Sequence, residues 1–192
     1  MKKQIHVLML SLCLLLAGAA QAKEFNNVQV HDEIQLEGAS PALKLNGVGM
    51  RSKFFFDIYI GALYLVEKTN SLDGVLSQSG AKRVLMHFVY DEVPAEKLVA
   101  GWNEGFQDNL SDEQLNKLAE RIDLFNAMFE TVHAGDIVLL DYLPGQGTRV
   151  TIKGEVKGMI EGEDFNRALL KIWLGDEPAD EALKEAMLNV KD

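Results

Sequence analysis

A single cysteine, Cys13, occurs among the 192 residues, and it falls inside an N-terminal apolar run. The chain beyond that run therefore has neither a disulfide nor a cysteine metal site. Histidine is nearly as sparse. Beyond His6 there are only His31, His87 and His133, each alone in its segment and without the i, i+4 partner of a helical zinc motif. No metal and no cofactor are expected. G-x-S-x-G, a Walker loop, H-E-x-x-H and a paired-glycine dinucleotide fingerprint are all missing, which removes the usual hydrolase, nucleotide and zinc-protease readings. The Gly47-Val48-Gly49 stretch lies between strand-like segments, with no helix behind it to offer an N-terminus to a phosphate. Basic residues number 19 against 29 acidic ones, a balance that argues against nucleic acid or anionic lipid surfaces as partners. Past residue 22, no apolar run approaches the roughly 20 residues of a membrane-spanning helix.

What is present begins with Lys2 and Lys3, an apolar run from Ile5 to Ala20 interrupted by His6 and Ser11, and then Ala20-Gln21-Ala22. This pattern reads as a secretory signal peptide, residues 1–22, cleaved after Ala22. Cys13 sits mid-run behind Leu12, where a lipoprotein processing site needs a small residue. Cleavage leaves residues 23–192, enough for one domain with a real core. It removes two lysines and no acid, taking the formal charge from −10 to −12. The expected product is a soluble exported protein of a Gram-negative periplasm, without a membrane span.

Along that domain, "VQV" and "ALKLNGVGM" are strand-like, and the aromatic stretch from Phe54 to Leu65 continues as sheet. Its even-numbered positions are almost all apolar and are assigned to the core face. "SLDGVLSQS" reads as a short helix capped by Ser71, "KRVLMHFVY" as a strand, and "PAEKLVAGWNEGFQDNL" as a helix opened by Pro94. Ser111 and Gln114 form a capping-box pattern ahead of Leu115, Leu118, Ile122, Phe125 and Phe129 at helical spacing. Three strands separated by "PGQG" and Gly154 follow, and two helices, "EDFNRALLKIWLG" and "ADEALKEAMLNV", close the chain. Antiparallel strands in blocks with helices between and after them give an α+β class.

Asp57 and Asp141 interrupt strands and are assigned to edges or strand ends facing water. Arg51 and Tyr59 attract more interest. A single strand from 42 to 65 would be too long, so the chain must reverse near Lys53 to Phe56. A hairpin centred near Phe55 sets Arg51 opposite Tyr59, within about 5.5 Å at Cβ. Read from local chemistry alone, Arg51 is either a strand-end arginine reaching water or an acid such as Asp57, or half of a guanidinium and phenol pair able to hold an oxyanion at an apolar pocket.

The order "LNGVGMRSKFFFDIYIGALYL", "GWNEGF", "PGQGTRVTIKGEVKG" and "GEDFNRALLKIWLGDEPADEALKEAML" resembles the chalcone isomerase family, in particular its bacterial exported branch. That resemblance covers nearly all of residues 23–192. It implies an open-faced β-sandwich, a large antiparallel sheet covered by a layer of helices with a ligand cleft between. Arg51 matches the arginine that activates the substrate in the plant isomerase, but Tyr59 stands where that enzyme has threonine. The enzyme's helical tyrosine has no counterpart in "GFQDNLSDEQL". The non-catalytic plant fatty-acid-binding members carry an arginine and a tyrosine matching Arg51 and Tyr59, both contacting the ligand carboxylate. The segment joining the two is shorter here than in those plant proteins. The resemblance thus implies a binding protein for a fatty acid or similar amphipathic carboxylate, with no catalytic residue assigned. An isomerase or lyase acting on a small phenolic or enone substrate, and a protein-interaction module with a vestigial cleft, stand as alternatives.

Overall fold

The structure, a computed structural model, describes residues 22–190. The signal-peptide reading, apart from Ala22, lies outside the described residues. A short hairpin, β1 (Ala22–Phe25) with β2 (Val28–His31), precedes β3 (Glu33–Ile34), and the long strands β4 (Leu43–Lys53) and β5 (Phe56–Leu65) follow. Then come α1 (Leu72–Ser77), β6 (Lys82–Phe88), β7 (Glu92–Val93), α2 (Ala95–Asn109), α3 (Asp112–Asn126) and β8 (Val132–His133). The chain ends with β9 (Ile137–Leu143), β10 (Gly147–Ile152), β11 (Glu155–Ile160), α4 (Glu163–Leu174) and α5 (Glu181–Met187). Seven strands form one sheet in the order β11-β10-β9-β6-β5-β4-β3, every neighbouring pair antiparallel. The α+β class and the sheet-plus-helices architecture read from the sequence are both observed.

Local signals place the helices. Ser71 accepts from the Gly74 N–H to cap α1, and Ser111 and Gln114 close a reciprocal capping box on α3. Asp180 accepts from the Leu183 N–H to start α5. Helix α4 has a wide apolar face, with Phe165, Leu169, Leu170, Ile172, Trp173 and Leu174 buried, and a narrow polar stripe of Glu163, Arg167 and Lys171. Such a helix belongs inside the layer, and α4 runs between α2 and the sheet. The main core lies between the sheet and these helices, while a smaller core around Leu36, Leu43, Leu45 and Tyr64 fills the opposite face under β1 and β2.

Two residues without a one-to-one partner govern which side chains meet the helices. The β4–β5 register slips at Asn46 and again at Ile58, so each strand carries one extra residue, a β-bulge. The even-numbered positions of β5 therefore do not form the main core face. Tyr59, Leu63 and Leu65 face the helices, whereas Ala62 and Tyr64 face the smaller core. Asn46 is buried and fully used: its amide donates to the carbonyls of Thr69 and Met187 and accepts from the Thr69 N–H.

The two glycines ahead of Arg51 have a packing reason. Helix α5 lies directly on β4. A Cβ at Gly47 would collide with the carbonyl oxygen of Ala186, and one at Gly49 would sit 2.6 Å from Ala186 Cβ.

Asp141 departs from its sequence-based assignment. It is 1% exposed at the centre of the sheet, in line with Arg83 on β6 and Arg149 on β10. Both oxygens are held, by Arg83 at 2.5 and 2.8 Å and by Arg149 at 3.1 Å. A carboxylate buried this deeply persists because it is paired on both sides. Asp57, by contrast, is exposed near the hairpin turn as read.

Candidate functional site

The β4–β5 hairpin pairs Arg51 with Tyr59. The route to that register differs from a simple reversal centred on Phe55, since the turn is the two residues Phe54 and Phe55 and the bulge at Ile58 restores the match. Tyr59 pairs in turn with Phe88 of β6, so Arg51, Tyr59 and Phe88 form a row across three strands. The two rings lie 5.5 Å apart, and the Arg51 guanidinium carbon lies 5.6 Å from the Tyr59 ring centre. The bulge also lets the consecutive residues Ile58 and Tyr59 line the same cavity.

That cavity, of about 450 Å³, lies between this row and helix α2. Ile58, Phe88, Leu98 and Trp102 supply apolar wall, and Ile172 of α4 and Ala179 close one side. The volume falls within the range of about 300 to 1,000 Å³ typical of small-molecule sites.

Arg51 has no acceptor among the described residues, and its Nε is buried without a partner. Asp57, whose carboxylate accepts from the Ser52 hydroxyl at 2.7 Å, forms no ion pair with Arg51. Tyr59 is 3% exposed, and its oxygen accepts from the indole N–H of Trp173 at 2.8 Å. With its oxygen engaged as an acceptor, the phenol keeps its own proton to donate. Burial raises the Tyr59 pKa above the ordinary phenol value, opposed by the Arg51 charge and the Trp173 hydrogen bond and reinforced by the Asp180 charge. The phenol therefore stays protonated at neutral pH and is a donor, not a base. Asp180 caps α5 with one oxygen and accepts from the Ser52 N–H at 3.1 Å with the other, fixing the α5 start beside Arg51. No group of three potential metal ligands occurs among the described residues.

Trp173 and Asp180 were not singled out from the sequence, nor were the walls Phe88 and Trp102. Trp173 lies within the closing "LLKIWLG" pattern, but its contact with Tyr59 spans 114 positions, and no local spacing announces it.

A family model described as chalcone isomerase-like matches residues 22–189. The chain belongs to the chalcone isomerase-like family. A search of curated proteins found no match. Among solved structures, the crystal structure of a fatty-acid binding protein from Arabidopsis thaliana superposes with a TM-score of 0.60 at 16% identity, covering 82% of this chain and 96% of that one. At that identity the likeness is one of fold. For this chalcone isomerase-like chain, the common fold is the antiparallel sheet with its helical cover, and the cavity lies between the two.

Proposed function

We propose that this protein is a non-catalytic binding protein that holds a fatty acid or similar amphipathic carboxylate, and that it works in the periplasm after export. The observation that carries the reading is an arginine with no acceptor among the described residues at the edge of an apolar cavity, beside a buried phenol whose proton is free to donate. A carboxylate completes both: the guanidinium fork takes its two oxygens and the Tyr59 O–H adds a third bond. The acyl chain gains about 0.8 kcal/mol per methylene buried along the cavity wall. The Arabidopsis protein of the same fold is named as a fatty-acid binding protein, which supports the same ligand class.

Catalysis of the isomerase type asks for more than the row offers. The residue that would have to move a proton is a phenol whose ionisation burial opposes, and no carboxylate or imidazole is hydrogen-bonded to it among the described residues.

Displacement of a fluorescent fatty acid tests the reading. Tyr59→Phe should weaken binding about tenfold, the worth of one hydrogen bond to a charged acceptor. The same change should cost about 1 to 3 kcal/mol of folding stability, because it leaves the Trp173 N–H buried without an acceptor. Affinity should stay level from about pH 6 to about pH 9, since the phenol remains protonated throughout. Equal displacement by wild type and Tyr59→Phe removes Tyr59 from the site.

A further inference from the structure

Three consecutive phenylalanines occupy the tip of the β4–β5 hairpin. Phe54 is 87% exposed, Phe55 98% and Phe56 55%, and Tyr90 packs its ring edge-to-face against Phe56 at 5.6 Å. Phe54 adopts φ +58, a conformation usually left to glycine or asparagine in such turns. The strand β6 stops pairing at Tyr59, so the hairpin runs on for three residues, roughly 10 Å at about 3.4 Å per residue. Nothing among the described residues covers its end.

We propose that this tip inserts into the headgroup and acyl boundary of a zwitterionic phospholipid bilayer and brings the cavity mouth against the membrane. A narrow convex prong fits a soft matrix better than it fits the flat, extended surface of a second folded protein. Its reach matches the roughly 5 to 10 Å depth of that boundary. Tyr90 and Lys53 belong to both the aromatic tip and the cavity rim, so insertion leaves the mouth at headgroup level. Lys53, beside the three rings, and Lys97, on the same rim, then meet lipid phosphates. The exposed acids Asp57 and Glu92 at the same end, together with the formal net charge of −10, set the molecule against an anionic surface and leave a zwitterionic one as the match. No described helix is long and apolar enough to cross a membrane, so attachment through the tip is reversible and peripheral.

Co-sedimentation with phosphatidylcholine vesicles tests this. Wild type should pellet with the vesicles, and Phe55→Ser should lower partitioning about tenfold, with a further loss of that order for each additional phenylalanine replaced. The triple variant Phe54→Ser, Phe55→Ser, Phe56→Ser should keep the melting temperature and the binding of monomeric fatty acid, because these side chains touch neither core. Phosphatidylglycerol in the vesicles should weaken the association. Absence of wild-type pelleting overturns the proposal, as does a triple variant that pellets equally. A wild-type dimer abolished by the triple variant, without vesicle binding, overturns it in favour of self-association. Vesicle binding and binding of monomeric fatty acid are read separately, so either reading can fail without the other.

Discussion

Replacing Arg51 by methionine is expected to weaken the binding of a long-chain fatty acid about 100-fold, close to 3 kcal/mol. The change removes the cation that faces the carboxylate and leaves that charge half-buried without a partner. Breaking a desolvated pair from one side costs more than an exposed ion pair contributes. Folding should not suffer. The Arg51 side chain makes no hydrogen bond to the protein among the described residues and carries a buried Nε without an acceptor, so methionine keeps the aliphatic stem and removes an unsatisfied group. A melting temperature equal to or above wild type is the expected result. Calorimetry with a fatty alcohol of the same length isolates the charge effect, because wild type and Arg51→Met should bind the alcohol alike. Arg51→Lys should recover only part of the acid affinity, since an ammonium lacks the fork that engages two oxygens together. An unchanged acid affinity in Arg51→Met removes the guanidinium from ligand binding.

Filling the cavity from helix α2 should abolish binding while leaving the fold intact. Gly101 lines the cavity, and a Cβ added there meets no atom within 4 Å. Gly101→Phe places a ring where the acyl chain would lie and exchanges glycine for a better helix former, a gain of a few tenths of a kcal/mol in the helix. Fatty-acid binding should fall by at least about tenfold, since several methylenes lose their place at about 0.8 kcal/mol each. Gly105, one turn on, gives the contrast. Its Cβ would sit 2.7 Å from a methyl of Ile172 where α2 crosses α4, so Gly105→Ala should destabilise by about 1 to 3 kcal/mol through overpacking. Thermal melts and displacement assays on the two variants separate blocked entry from damaged packing. A Gly101→Phe protein that is stable and still binds would move the acyl site out of this cavity.

Much of the architecture was legible because its signals are local. Ser71, the Ser111 and Gln114 box, Gly154 and Gly175 mark element ends through hydrogen bonds or backbone freedom within a few residues. The pairing of Arg51 with Tyr59 was also legible, through compensating details. A centre on Phe55 gives the observed partners because the true turn lies half a position earlier and the bulge at Ile58 adds one residue. The same bulge turned the face assignment of β5 around, and a bulge has no signature in the alternation of "FFFDIYIGALYL". Asp141 was misplaced because its partners Arg83 and Arg149 lie on other strands. The alignment of three strands cannot be read from the composition of one. The Gly47-Val48-Gly49 stretch was read only as lying between strand-like segments, because the reason for its glycines, helix α5 lying on β4, sits more than 130 positions away.

The most direct measurement is native mass spectrometry of the purified protein, before and after extraction with organic solvent. Wild type should carry an additional mass of a fatty acid or related carboxylate that extraction removes and added fatty acid restores. Arg51→Met and Gly101→Phe should arrive largely empty. A clean apo spectrum from wild type, with no uptake of added fatty acid, contradicts a carboxylate-binding role for the cavity.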